Sequence, residues 1–97
     1  MRVISKKALV EFWKKVPASE QQLNAWYCEA KDAEWRDPTD VKAKYGNASI
    51  LKGSRVVFNI CGNKYRLVVL IKYDFKTVYV RFVGTHKEYD NVDAESV

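Results

Sequence analysis

The chain has 97 residues, of which 47% are apolar and thirteen are aromatic, and it carries a formal charge of +5. That size and composition fit one domain over residues 1–97 with its own hydrophobic core, and leave no room for a second. No apolar run approaches the roughly eighteen residues of a spanning helix, and Met1 to Lys7 lack the apolar stretch and cleavage site of a signal peptide, so the chain is expected in the cytoplasm with no membrane partner.

Arg2-Val3-Ile4 reads as an edge strand leading to a helix capped by Ser5. Leu9, Phe12, Trp13 and Val16 then recur at i, i+3, i+4 and i+7, one apolar stripe that ends before Pro17. Ser19 and Gln22 have the spacing of a capping box for a second helix, whose stripe of Leu23, Trp26, Ala30 and Ala33 runs to about Trp35. Trp13, Trp26 and Trp35 are expected in helix packing. Asp37-Pro38-Thr39-Asp40 breaks the pattern, and Val41 to Tyr45 adds at most one helical turn before Gly46-Asn47.

From there the period changes from helical to alternating, and β-branched and aromatic residues dominate. Three strands are predicted at Arg55–Ile60, Lys64–Tyr73 and Thr77–Val83. A two-residue turn at Gly62-Asn63 sets Cys61 opposite Lys64, Ile60 opposite Tyr65 and Asn59 opposite Arg66. A second turn near Phe75-Lys76 sets Tyr73 opposite Val78 and Lys72 opposite Tyr79. The expected architecture is therefore α+β, with an N-terminal helix pair on one face of a small antiparallel sheet.

The alternation sorts the strands into two faces. Val56, Phe58, Ile60, Tyr65, Leu67, Val69, Ile71, Tyr73, Val78, Val80 and Phe82 make an uncharged face for the helices. The other face collects Arg55, Val57, Asn59, Lys64, Arg66, Val68, Leu70, Lys72, Tyr79, Arg81 and Val83. A slip of one residue would drive its charges into the core, so the register is strongly specified. Residues 49–87 hold eight basic groups against the single acid Asp74, whereas residues 1–48 hold nine against seven. The surplus is thus concentrated on one surface, which suits a polyanion, although a solvated basic face would have the same composition.

Arg55, Arg66 and Arg81 can fork onto phosphate oxygens, Lys64 and Lys72 can neutralise charge, and Tyr79 can stack on a base. Gly84 to Asp90 follows the last strand and brings the only histidine, His86, with Lys87 and Tyr89, to the same surface. Cleaving RNA needs a base for the ribose 2′-OH, cations for the phosphorane and an acid for the leaving 5′-oxygen. His86, Tyr89 or Lys64 can move the proton, and Arg66 and Arg81 can hold the transition-state charge. The plain alternatives are a capping histidine, ion pairs from the arginines to Glu88 and Asp90, and tyrosines lying as lids on the sheet.

Cys28 and Cys61 belong to no paired-cysteine motif, and one histidine cannot complete a zinc site, so no metal is expected and the thiols are read as buried and inert. No Gly-rich phosphate loop or nucleophile elbow is present, which leaves no support for a nucleotide cofactor or serine hydrolysis.

The run Val57-Phe58-Asn59-Ile60-Cys61-Gly62-Asn63-Lys64-Tyr65-Arg66-Leu67-Val68, followed by Val80 to Asp90 with its Thr85-His86-Lys87-Glu88-Tyr89-Asp90 element, closely resembles the HigB family of RelE-like toxins. The resemblance covers about the C-terminal third; the helix pair agrees in length and order. It implies the RelE/ParE-like toxin fold and a type II toxin–antitoxin toxin that cuts mRNA without a metal ion, typically on the translating ribosome. It also implies a HigA-type antitoxin with a helix-turn-helix domain, through which operator DNA would be bound. Asn59, Lys64, Arg66, Arg81, His86 and Tyr89 fall on motif positions that line the active surface; RelE itself uses lysine, arginine and tyrosine, so the identity of the base stays open. Two rivals use the same fold or face: a ParE-like gyrase inhibitor, and a non-catalytic RNA- or ribosome-binding module.

Overall fold

The computed structural model describes all 97 residues. The elements run β1 (Arg2–Ile4), α1 (Lys6–Lys15), α2 (Glu20–Asp32), α3 (Pro38–Lys44), β2 (Ser49–Ile50), β3 (Arg55–Ile60), β4 (Tyr65–Lys72), β5 (Thr77–Thr85) and α4 (His86–Tyr89). The strands form one sheet in the order β1-β5-β4-β3-β2. Neighbours are antiparallel except β1, which lies parallel to β5, so the sheet is mixed where an antiparallel one was expected. The α+β class holds, and no helix is long and apolar enough to cross a membrane.

Both helical stripes do what their spacing demands. Leu9, Leu23, Trp26 and Ala30 are buried with Val56, Phe58, Leu67, Val69, Ile71 and Val78 in one cluster, against which Phe12 and Trp13 also pack. Trp26 meets Phe58 edge-on at 5.3 Å, and Trp35 is buried beside the same ring. The Trp26 indole N–H has no partner, a desolvation cost of about 1–3 kcal/mol that the packing must outweigh. Lys14 and Lys15 sit in the last turn of α1, where they complement its dipole.

The caps differ from the sequence reading. Ser5 occupies the N-cap of α1 but makes no side-chain cap hydrogen bond. The expected box at Ser19 and Gln22 is absent: a 3-10 turn over Pro17–Ser19 puts Ser19 in a helical conformation, and its hydroxyl donates back to the Val16 carbonyl at 2.7 Å. Gln22 instead accepts the Cys61 amide at 2.6 Å, tying α2 to the β3–β4 loop. Helix α3 starts earlier than expected, because Asp37 accepts the Asp40 amide and Pro38 occupies the first turn. The thiols are not buried either: Cys28 is exposed and Cys61 half-buried.

The β3–β4 register is the expected one, with Ile60 opposite Tyr65 and Asn59 opposite Arg66. The positive φ angles fall on Cys61 (54°) and Gly62 (68°), one residue earlier than the predicted turn, so Cys61 leaves the ladder. At the other end Tyr73–Phe75 form a 3-10 turn closed by left-handed Lys76, which moves the pairing by two residues to Ile71 opposite Val78 and Lys72 opposite Thr77.

A β-bulge matters more for the faces. Val68 pairs with Phe82 but Val69 pairs with Val80, leaving Arg81 as the extra residue on β5. Every side chain beyond it changes face. Phe82, expected under the helices, packs with Val57 and Val68 on the opposite side, while Val83, expected on the polar face, joins the main core.

Candidate active site

The face away from the helices is not an open plane. Val57 and Val68 are buried beneath Ala94, with Leu51, Phe82, Tyr89 and Val97 packed around them. Helix α4 and the segment after it therefore cover part of the surface on which strand alternation placed the basic residues. Gly84 makes this approach possible, since a Cβ there would lie 2.6 Å from the Phe82 ring and 3.0 Å from Glu88 Oε1.

Helix α4 is one turn long and is held by a reciprocal cap. Thr85 Oγ1 accepts the Glu88 amide at 3.1 Å, and Glu88 Oε1 accepts the Thr85 amide at 2.8 Å. The same turn is fastened to the hairpin because the His86 amide donates to the Lys64 carbonyl at 3.0 Å. His86 and Lys64 thus come from elements distant in sequence and share one edge. Both side chains are exposed.

Arg66 and Tyr89 are in contact at this corner, and His86, Lys87 and Lys64 flank them. Arg66 Nη1 donates to the Asn63 carbonyl at 3.2 Å, and its guanidinium lies 5.7 Å from the centre of the Tyr89 ring. A cation over that face gains attraction without losing its remaining donors, so Arg66 is aimed yet still able to bind an anion. His86 Nδ1 lies 3.3 Å from Asp90 Oδ2. If Nδ1 carries the proton toward that carboxylate, Nε2 is the free nitrogen, the arrangement a general base requires. Lys87, on α4, is exposed and has no ion pair.

The other nominated residues go elsewhere. Arg55 and Arg81 are gathered on the main-chain oxygen of Val97, with Nη2 of Arg55 at 3.0 Å and Nε of Arg81 at 3.3 Å. They border the covered half of the face. Asn59 lies opposite Arg66 in the ladder and donates to the Asn47 carbonyl at 3.4 Å. Lys72 is six residues along β4 from Arg66, or about 20 Å, and Tyr79 pairs near that far end. Neither is brought to the His86 cluster. Glu88 and Asp90 pair with the Thr85 cap and His86, not with the arginines.

Sequence reasoning missed the cap that builds this corner. Thr85-His86-Lys87-Glu88 has capping-box spacing, so the signal was present. It also missed the role of Asp90 beside His86.

The largest cavity, about 650 Å³, lies away from this cluster, between Trp35, Arg36, Asp40 and the Tyr73–Lys76 turn. Its guanidinium is already committed: Arg36 hydrogen-bonds Asp40, whose carboxyl is held below its usual range by that bond. Burial, and then the nearby Asp37 charge, push the Tyr73 phenol up. Nowhere do three or more His, Cys, Asp or Glu side chains gather as a metal site would need.

Residues 19–92 match the family model described as HigB_toxin, the RelE-like toxic component of a toxin–antitoxin system. The mRNA interferase toxin HigB of Escherichia coli K12 is 32% identical over 92 residues, covering 93% of this chain and 88% of the relative. A Shigella flexneri mRNA interferase HigB matches to the same extent, and one from Escherichia coli O6:H1 is 26% identical over 94 residues, covering 95% and 91%.

Proposed function

The chain belongs to the HigB family of RelE-like toxins, and from that premise we propose how it works as a toxin of a toxin–antitoxin system that cleaves mRNA. The observation that carries the reading is the Arg66–Tyr89 contact beside the main-chain bond that ties α4, which bears His86, to Lys64 of the β3–β4 hairpin.

A phosphodiester laid along this corner meets Arg66, which neutralises the charge that grows on the phosphorus oxygens as the 2′-oxygen attacks. His86 Nε2, with Nδ1 engaged by Asp90, takes the 2′-OH proton. The O2′–P bond forms and the P–O5′ bond breaks. A proton from Lys64 or Tyr89 goes to the departing 5′-oxygen, leaving a 2′,3′-cyclic phosphate and a 5′-hydroxyl. These side chains supply all the groups the reaction requires. Asn59 and Arg55 on β3, Arg81 on β5 and Lys87 on α4 extend the binding surface, and the two arginines exchange the Val97 oxygen for phosphate oxygens. Lys72 and Tyr79 hold RNA only if it runs the length of β4 and β5.

The target is mRNA on the translating ribosome, in the cytoplasm, and a HigA-type antitoxin with a helix-turn-helix domain neutralises the toxin and carries it to operator DNA. Primer extension on a defined mRNA, naked or on programmed ribosomes, tests this with wild type and His86→Ala. Cuts within the translated frame that need ribosomes and vanish in the variant are expected. Undiminished cuts in His86→Ala would remove His86 from the mechanism. Intact mRNA would overturn the enzyme reading, with supercoiling inhibition pointing to gyrase and salt-sensitive RNA binding to a non-catalytic module.

A further inference from the structure

We propose that the cleft between the α3–β2 loop and the β3–β4 hairpin binds one nucleobase adjacent to the scissile phosphate, and that Asn47 and Asn59 read its edge. This rests on the RNA-cleaving reading above and adds to it a source of sequence preference. The cleft lies beyond the two-residue strand β2, where the edge of β3 is uncovered, and it encloses about 310 Å³. That is the lower end of small-molecule sites, a size for one planar ring system and not for a folded partner.

One wall is aromatic and the rim is amide. Tyr45, half-buried, presents its ring to the cleft and is backed edge-on by the buried Phe58, with centroids 5.0 Å apart. The Tyr45 hydroxyl donates to Glu29, so the ring serves as a wall and its polar atom is already taken. The side-chain amide of Asn47 makes no hydrogen bond of its own, and Asn59 spends only one N–H, on the long contact to the Asn47 carbonyl. A side-chain amide offers a donor beside an acceptor, the pair that matches the edge of a base.

The position is set by the sheet. Asn59 stands directly opposite Arg66 in the β3–β4 ladder, so a base at Asn59 belongs to the nucleotide next to the phosphate on Arg66. Lys44 Nζ, at the rim, makes only a 3.9 Å surface pair with Glu29 and remains free to meet that nucleotide's phosphate. On the hairpin side the mouth is open, since nothing lies within 4 Å of where a Cβ on Gly62 would be.

The test is 5′-end mapping of transcripts from cells making wild type, Asn47→Ala or Asn47→Asp at matched levels of folded protein. Wild-type cuts are expected to favour one base at a fixed offset. Asn47→Ala should keep cutting while that preference falls about fivefold or more, and Asn47→Asp, which can only accept, should move it toward cytosine. The same preference in all three proteins, no preference in wild type, or a uniform loss at every site would overturn the subsite. Absence of wild-type cuts would overturn the enzyme reading itself.

Discussion

The helix-covered face of the sheet contributes seven strand residues to a buried cluster of fourteen, whereas the opposite face contributes only Val57 and Val68 to a cluster of three that Ala94, from the chain after β5, completes. Both faces come from the same strands and the same two-residue period. On the first, side chains are spent on each other, and only at its edge, where Tyr45 borders the cleft beside β2, does that packing reach a proposed ligand. On the second, a small apolar patch seats α4, and the arginines around it keep donors to spare. Stability and chemistry are therefore separated by the thickness of one sheet, and substitutions on the two sides should differ in kind.

The sharpest contrast is between neighbours on β4, both fully buried. Leu67→Ala, on the helix side, should cost about 3 kcal/mol in urea unfolding with an unchanged denaturant slope. Val68→Ala, under the C-terminal segment, removes less and should cost about 1.5 kcal/mol. Equal losses would erase the distinction between the two clusters.

Thr85→Ala removes one half of the α4 cap and should cost about 1 kcal/mol, with faster amide exchange over His86–Asp90 and reduced cleavage. Thr85→Ser should restore both. A cleavage rate untouched by a frayed α4 would separate that turn from the chemistry.

The smallest effect lies on the helix side and needs alkaline pH. Burial, then the hydrogen bond and charge of Glu29, raise the Tyr45 pKa well above its ordinary value. The folded state thus holds this proton more tightly than the unfolded chain does. The resulting stability is complete below the unfolded value near 10 and is lost as pH rises through the folded one. Unfolding free energies measured across that range should fall less steeply in Tyr45→Phe than in wild type, and should match in slope near neutrality.

Where period decides structure, it was legible: the two stripes and the three long strands follow from apolar spacing, and the β3–β4 register from that spacing together with the Gly62-Asn63 turn signal. Phe82 and Val83 were misplaced because a bulge adds one residue at Arg81, and nothing in local alternation marks where a ladder slips. The covering of Val57 and Val68 was hidden for a different reason, since it depends on Ala94 and Val97 returning from a segment with no period of its own. The positions of Arg66, His86 and Tyr89 on one surface were foreseen, but the geometry that joins them comes from the Thr85 cap and the Lys64 carbonyl. Arg55 and Arg81 show the limit of counting charges on a face, because neither lies open to solvent without a partner.

The most direct test of the account is single-turnover cleavage of a ribosome-bound mRNA by Arg66→Ala, beside its thermal unfolding. The account predicts cleavage slowed by two orders of magnitude or more, about 2.7 kcal/mol of transition-state stabilisation, in a protein that melts within a few degrees of wild type. Wild-type cleavage by a folded Arg66→Ala protein would contradict it.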